Sequence, residues 1–397
     1  MKSGLSKAQK NRMFTPVSVG AVTARNRIVM APMVTNFATP DNEISDHQIT
    51  YYAERAIGGV GTIIVEASVI HQGVRAFERQ VGVYEDRLLP GLSRLADAIR
   101  KNGAVALMQV HHAGPKINPA LGLEPVSVSP VMIREGCVPR QLSVDEMHQV
   151  RRDFVAAARR ARRAGFDGIE LHAAHFYLLS ASISPYTNRR DDEYGGSIPN
   201  RTRLTREIIE NIRAELGADF TVWVRINGFE AFDPGVTVAE SRQVAAIFAD
   251  AGADVIHVSA YMSPAARNAK TGLDLPTGVG LSKDVPPGPY LEYAGAIKEA
   301  VDIPVVAVGK LDDPLLAAQA LSDNTCDMVA LARQFLCDPH WVRKVQQGRE
   351  EEIVHCKYCQ TCHRALYKNE EIYCIQNRNL YGKPSYRKPP AGEDGAV

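Results

Sequence analysis

The sequence has no long hydrophobic run and almost no net charge. No segment reaches the ~18 consecutive apolar residues that span a bilayer, and residues 1–14 lack the apolar stretch of a secretory signal. Lysine and arginine total 46 against 45 aspartates and glutamates, so the net charge of +1 indicates neither nucleic acid nor an anionic membrane as partner. We therefore expect a soluble, cytoplasmic protein that binds neither.

The sequence also lacks a glycine-rich GxGxxG turn after its first predicted strand, which disfavours a doubly wound dinucleotide-binding sheet. Instead, eight short apolar segments mostly alternate with helical ones and show little polar alternation, as expected of parallel strands buried on both faces. Polar residues follow these strands and would converge at one mouth of a closed barrel. We predict an α/β fold, a (βα)8 TIM barrel. The predicted strands are residues 27–33, 61–67, 104–110, 168–171, 221–226, 254–258, 305–308 and 328–331. The polar residues are Thr35, Glu66, Gln109, His111, His172, Arg225, Ser259, Lys310 and Arg333.

We predict three segments along the chain. Residues 1–340 would form the barrel and residues 341–380 a short cysteine-rich extension. Residues 381–397 contain proline, glycine and charge but little to bury, which predicts a flexible tail. Two irregular insertions, residues 114–142 and 259–287, would control specificity.

His172, His175 and Tyr177 follow the fourth predicted strand. A pair of neutral imidazoles can hold a carbonyl oxygen or a phenolate, and a phenol can donate a proton. The same histidines could instead bond backbone carbonyls, or join a metal site for which no third ligand is evident nearby. Spacing alone gives catalysis no more than even weight.

Four of the seven cysteines, Cys356, Cys359, Cys362 and Cys374, lie close together in the sequence. In a cytosolic chain, such a cluster suggests a metal site before a disulfide framework. Two short gaps and one long gap suit either a cubane iron–sulfur cluster or a single zinc ion. The spacing leaves both open.

Taken together, these motifs resemble the old yellow enzyme family of FMN-dependent NADH:flavin oxidoreductases, from about residue 14 to residue 339. Matching segments include NR at 26–27, APM at 31–33, HAG at 112–114, ELHAAH at 170–175, TNRR at 187–190 and EYGGS at 193–197. Three places depart from the usual pattern. Val34 replaces a Thr or Cys, Phe176 replaces a Gly, and Pro115-Lys116 stands where an Arg often follows His-Ala-Gly.

The resemblance implies FMN bound without a covalent link at the mouth of the barrel. Gln109 would match the pyrimidine edge of the flavin, and Arg225 would face the N1–O2 side, where negative charge gathers on reduction. The phosphate would lie in the loops after the last two strands. The flavin lining would be Pro32, Met33, Val34 and Ala67, and the phosphate site Gly309, Lys310, Ala332 and Arg333.

The resemblance also implies a reaction. His172 and His175 would hold the carbonyl of a small-molecule substrate with an activated alkene, such as an enone, enoate or enoyl thioester. That polarisation prepares the β-carbon for hydride from reduced FMN, and Tyr177 would protonate the α-carbon. NAD(P)H is a candidate direct reductant of the flavin.

The cysteine motif is similar to that of the family's iron–sulfur branch, which includes 2,4-dienoyl-CoA reductase, 2-enoate reductase and trimethylamine dehydrogenase. This favours a [4Fe–4S] cluster over zinc. The FAD- and NAD(P)H-binding domains of that branch are not found in this sequence, so a separate ferredoxin or flavoprotein is a candidate electron donor to the cluster.

Two other functions are weighed against alkene reduction. One is an amine or N-methyl dehydrogenase that passes electrons out through the cluster, with Phe37, Tyr51, Tyr177 and Tyr261 as an aromatic cage. The other is a non-catalytic electron carrier, which the complete His172, His175 and Tyr177 set disfavours. A homo-oligomer is compatible with the sequence, which specifies neither the substrate nor the direction of electron flow.

Overall fold

The computed structural model describes residues 5–231, 233–262, 266–267, 274–275 and 280–377. Within these ranges, eight parallel strands form a closed barrel, each paired with its neighbours in chain order and the eighth with the first. The predicted (βα)8 TIM barrel is therefore confirmed. The strands are β1 (Ile28–Met30), β2 (Thr62–Val69), β3 (Val105–His111), β4 (Gly168–Ala173), β5 (Thr221–Glu230), β6 (Val255–Tyr261), β7 (Val305–Val308) and β8 (Met328–Leu331).

The larger helices connect successive strands. The helix Val144–Arg163 shows why they form: Ser143 and Glu146 make a capping box at its start, and basic residues occupy its last turn. Its buried face, which includes Val150 and Phe154, packs onto the barrel. The helices between strands are Asp46–Ile57, Leu89–Lys101, Val144–Arg163, Leu178–Ile183, Ile198–Arg201, Arg203–Leu216, Val238–Asp250, Leu291–Lys298 and Pro314–Ser322.

Further helices precede and follow the barrel. Lys7–Phe14 lies before β1, and Arg333–Cys337, Trp341–Gln347 and Thr361–Tyr367 follow β8. The described residues also form three small two-stranded sheets: Val17–Val19 with Val22–Ala24, Val126–Ser127 with Arg140–Gln141, and Ala266–Arg267 with Asp274–Leu275. None of the described helices is long and apolar enough to cross a membrane.

The strands β2 to β6 extend further at their carboxyl ends than the apolar runs suggested. Residues that we expected just past strand ends, such as His172 and Ser259, lie within β4 and β6. The reason is that the strands stay paired while their inward-facing residues become polar at the mouth. The predicted segment boundaries at residues 340 and 380 stay predictions, and the predicted tail lies outside the described residues.

Candidate active site

One cavity lies at the carboxyl ends of the barrel strands. All ten residues predicted to hold the flavin and all three predicted catalytic residues line it. They come from β3, β4 and β5 and from the segments that follow β1, β4, β7 and β8, with Ala67 inside β2. The lining includes Pro32, Met33, Val34, Ala67, Gln109, His172, His175, Tyr177, Arg225, Gly309, Lys310, Ala332 and Arg333.

Strand periodicity explains how the polar residues meet. Side chains two residues apart share a strand face, so Gln109 with His111, and Glu170 with His172, point the same way. The register places Gln109 beside Glu170 on the neighbouring strand. The barrel therefore assembles polar groups from several strands on its inner side.

A buried network supports Gln109. Its Nε2 donates to Glu170 Oε1 at 2.7 Å, and His257 Nδ1 donates to Glu170 Oε2 at 2.6 Å. Glu170 and His257 are fully buried. The amide orientation of Gln109 is thus fixed from beneath, and its oxygen is left for another partner in the cavity.

Arg225 and His175 converge on Ser259. The Ser259 hydroxyl lies 2.8 Å from His175 Nε2 and 3.5 Å from Arg225 Nη2. Burial lowers the pKa of Arg225, while the Glu170 carboxylate opposes that shift. Among the described residues, the buried Arg225 Nε and His172 Nδ1 have no hydrogen-bond partner. Such orphaned donors are expected where a polar ligand binds.

His172, His175 and Tyr177 form one aromatic group. The ring centroids of the two histidines lie 5.2 Å apart, and those of His172 and Tyr177 lie 4.9 Å apart. Burial lowers the pKa of both histidines well below the usual value, so both are neutral at physiological pH. Burial raises the pKa of Tyr177, which keeps its proton available for donation.

The backbone of His175 and Phe176 is left-handed, with φ of 65° and 57°. This conformation is strained for a bulky residue, which is consistent with a glycine being usual at the position of Phe176. The fully buried Phe176 ring packs against Tyr261, with ring centroids 4.9 Å apart, and does not line the cavity. Tyr177 does line it, so Phe176 does not displace the tyrosine from the site.

Cations gather at the predicted phosphate side. Lys310 Nζ donates to the Ser282 carbonyl at 3.2 Å, and Arg333 Nη1 to the Leu281 carbonyl at 2.7 Å. Both cations lie over the Tyr358 ring, at 4.5 and 4.6 Å from its centroid. At Gly309, φ is 118° and a Cβ would lie 2.9 Å from the Tyr290 ring, so glycine suits this close approach.

A second, smaller cavity is lined by all four predicted metal-ligating cysteines and by a fifth, Cys337. Cys337 Sγ lies 3.3 Å from Cys374 Sγ and also hydrogen-bonds with Cys356. The hydrogen bond from Cys337 lowers the pKa of Cys374 to about 6, which favours the thiolate that metals require. No three described histidine, cysteine or carboxylate side chains are arranged to hold a single metal ion.

Sequence reasoning missed several residues of the two cavities. Cys362, Arg333, Tyr358 and Gln360 line both cavities, and only Cys362 and Arg333 were predicted. A lone cysteine in a short helix, as Cys337 is, carries no motif signal. Tyr358 lies inside the CxxC motif at 356–359, so its place beside the cysteines could have been predicted from the sequence.

Three polar residues expected at the mouth, Thr35, Glu66 and His111, do not line the cavity. Thr35 Oγ1 donates to Glu66 Oε1 at 2.6 Å, and the Thr35 amide to Glu66 Oε2 at 2.9 Å. Gln48 also donates to this carboxylate, at 2.9 Å. Because Glu66 is satisfied by these buried partners, it does not line the cavity. The polar residues at the strand ends are therefore divided between the cavity lining and buried positions that do not line it.

The side chains that line the two cavities fit FMN and an iron–sulfur cluster, the two cofactors that the sequence implies. Orphaned nitrogen atoms, an oriented amide and a cationic end suit a flavin mononucleotide. Five thiols around one small cavity suit an iron–sulfur cluster.

The fold and the flavin cavity define a flavin-type barrel oxidoreductase. The chain belongs to the NADH:flavin oxidoreductase / NADH oxidase family, whose model matches residues 12–352. This is the old yellow enzyme family, so the resemblance that the sequence motifs indicate is confirmed.

The comparisons with known proteins include several long matches. A curated NADH oxidase of Thermoanaerobacter brockii is 36% identical over 389 residues, covering 96% of this chain and 56% of its own length. The chain thus spans about half the length of the curated relatives it first matches. A 2-naphthoyl-CoA reductase complex aligns with a TM-score of 0.87 and 27% identity, over 94% of this chain and 58% of the other. A histamine dehydrogenase of Rhizobium sp. 4-9 aligns with a TM-score of 0.82 and 27% identity, over 94% and 53%.

Proposed function

We propose that this protein is an FMN-dependent oxidoreductase that reduces an activated C=C bond of an enone, enoate or enoyl thioester, with a [4Fe–4S] cluster relaying electrons. The observation that carries the proposal is the convergence of all thirteen predicted flavin and catalytic residues on one cavity. Family membership supports the flavin and the oxidoreductase class.

His172, His175 and Tyr177 have separate roles in the proposed reaction. His172 and His175 each donate one N–H to the substrate carbonyl oxygen, because buried neutral imidazoles donate without adding a charge. Reduced FMN, when bound, supplies a hydride to the β-carbon. Tyr177 donates its proton to the α-carbon as the carbonyl group takes up electron density. One hydride and one proton convert the double bond into a single bond.

The same cavity supplies groups for each part of FMN. Gln109, oriented by Glu170, would bond the pyrimidine edge, and Arg225 would bond the N1–O2 side through its free Nε. Lys310 and Arg333 would bind the phosphate in place of the carbonyl groups that they now contact. Pro32, Met33, Val34 and Ala67 supply the apolar lining of the isoalloxazine.

The cysteine cavity lies next to the flavin cavity. Cys362, Arg333, Tyr358 and Gln360 line both, so a cluster held by Cys356, Cys359, Cys362 and Cys374 would be separated from the flavin by few side chains. This proximity supports an electron relay to or from the flavin. The electrons would come from a ferredoxin or flavoprotein partner through the cluster, or from NAD(P)H directly at the barrel mouth.

Amine dehydrogenation is the weaker alternative. Of the four proposed cage residues, Tyr177 lines the active-site cavity, whereas Phe37, Tyr51 and Tyr261 do not. Tyr51 instead packs against Phe37 at 5.6 Å and has Arg55 over its ring. Moreover, Lys116 already lies over Tyr177 and Tyr261. An ammonium substrate would have to approach a positive charge at those two rings.

Metal and flavin analysis of anaerobically purified protein tests the cofactors. We expect one FMN, four irons and four sulfides per chain, with no zinc, and one zinc per chain in place of iron would contradict the cluster. Stopped-flow spectroscopy of the reduced enzyme with an enone then tests the reaction. Reoxidation of the flavin coupled to formation of the saturated ketone is expected, and the absence of turnover with enones, enoates and enoyl thioesters alike would reject alkene reduction.

A further inference from the structure

The ammonium group of Lys116 lies at the tyrosine side of the active site. The residue ends the short turn Gly114–Lys116, which follows β3. Its Nζ lies 5.2 Å from the ring centroid of Tyr177 and 5.6 Å from that of Tyr261. It is also close enough to act electrostatically on His175 and His111. Lys116 is not among the residues that line the cavity, but its Nζ lies beside the ring of Tyr177, which does line it.

Lys116 has no counter-charge in the part of the chain that the structure describes. It forms none of the salt bridges found there, and the charged residue that acts on it is another cation, Arg134. The half-buried position and this like charge lower the pKa of Lys116 to about 8. A buried or half-buried cation without a partner is costly, and an anionic ligand would remove that cost.

The cations that line the cavity occupy other parts of it. Arg225 lies deep in the barrel, where Glu170 acts on it electrostatically. Lys310 and Arg333 lie together over Tyr358 at the phosphate end. Lys116 lies instead beside Tyr177, so it is not part of the phosphate site. Among the described residues, it is a positive charge on the tyrosine side of the site.

We propose that Lys116, supported by Arg134, binds a carboxylate of the substrate, so that the preferred substrates are activated alkenes that also carry a carboxylate. This inference rests on the proposed function, because it assumes that the histidine pair holds the substrate oxygen. Arg134 is held near Lys116 by the bond from its Nη2 to the Ile117 carbonyl, at 3.1 Å. A neutral enone would leave Lys116 unpaired, and a cationic amine would be repelled by it.

A binding experiment tests this site without turnover. The FMN-loaded enzyme is titrated with 4-hydroxybenzoate and with its neutral isostere 4-hydroxybenzamide, and changes in the flavin absorption spectrum give the two Kd values. In both ligands the phenol oxygen would bond His172 and His175, and only the benzoate offers a carboxylate to Lys116. We expect the benzoate to bind about tenfold more tightly, the effect of one charge-assisted hydrogen bond.

Variants assign the preference to one side chain. Lys116→Gln should remove the preference, and Lys116→Arg should keep it. Lys101→Gln, which removes an exposed lysine on the helix Leu89–Lys101, is the matched control and should behave as wild type. Equal binding of the two ligands by the wild type, or a preference that survives Lys116→Gln, would overturn the carboxylate site alone. Failure of both ligands to bind would overturn it together with the role of the histidine pair.

Discussion

The sulfur atoms of Cys337 and Cys374 lie 3.3 Å apart in the cavity that all four predicted cluster ligands line. A [4Fe–4S] cluster needs four thiolates, and this cavity holds five. Cys337 is therefore close enough to replace Cys374 as a ligand with a small movement of its side chain. It comes from the short helix after β8, which Asn377 contacts through the Leu336 carbonyl at 3.0 Å.

Cysteine substitutions should reveal this redundancy. We expect Cys337→Ala to keep the full iron content, because the four predicted ligands remain. Cys374→Ala should keep most of its iron through Cys337, and the double variant should lose it. Iron and sulfide content, with electron paramagnetic resonance spectra of the reduced protein, measure these outcomes. Cys326→Ala, in the buried barrel core, is the control. Complete loss of iron in Cys337→Ala would mean that Cys337 is itself a native ligand.

Replacing the proposed proton donor should slow only one half of the reaction. In Tyr177→Phe, reoxidation of reduced flavin by an enone should be about 10²–10⁴-fold slower, the usual contribution of a positioned acid. Reduction of the flavin by dithionite should not change, since that step needs no proton from Tyr177. Stopped-flow absorbance measures both steps separately. The variant Tyr261→Phe, which changes the other tyrosine beside Lys116, should reoxidise like the wild type.

The barrel could be predicted because its strands are apolar runs of the right length. His172, His175 and Tyr177 could be predicted because they form a motif that follows one such run. The carboxyl ends of the strands could not be predicted in the same way. Residues such as His172 and Ser259 resemble loop residues, because the chain becomes polar before the strand ends. The pattern of hydrophobicity marks burial in apolar surroundings and does not mark a paired strand that faces a ligand.

Contacts between segments that are distant in the sequence could not be predicted either. The approach of Cys337 to Cys374, and of Lys116 to Tyr177, depends on how loops and the segment after the barrel fold back onto the mouth. No local periodicity encodes those paths. Glu66 illustrates the opposite error: its position after an apolar run suggested the mouth, yet its hydrogen bonds to Thr35 and Gln48 keep it away.

Glu170 should be essential for flavin binding although it does not line the cavity. In Glu170→Leu, Gln109 Nε2 and His257 Nδ1 would both lose their buried acceptor. Each loss should lower the free energy of unfolding by about 1–3 kcal/mol, and Gln109 would no longer be oriented. Chemical denaturation and FMN titration measure the two effects. Glu170→Gln, which keeps one acceptor oxygen, should be intermediate, and an unchanged FMN affinity in Glu170→Leu would contradict the role of this network.

The preference for a carboxylate should depend on pH through Lys116. Its pKa is lowered to about 8 by burial and by Arg134, so the ammonium is present below that pH and is lost as the pH rises through it. Three histidines face Lys116: His111 from β3, His175 from the loop after β4, and His363 from the segment after the barrel. Burial is the main cause that lowers their pKa values, so they stay neutral. Burial raises the pKa of Tyr177 and Tyr261, which stay protonated.

Among these described groups, Lys116 is the one whose charge changes around this pH. We expect the ratio of kcat/KM for 4-oxopent-2-enoate to that for its methyl ester to be constant at low pH and to fall as the pH passes about 8. Neither compound titrates in this range, and the ratio cancels any effect of pH on the flavin or on Tyr177. In Lys116→Arg the ratio should stay high, because a guanidinium remains charged throughout. A ratio that does not change with pH in the wild type would show that Lys116 does not bind the carboxylate.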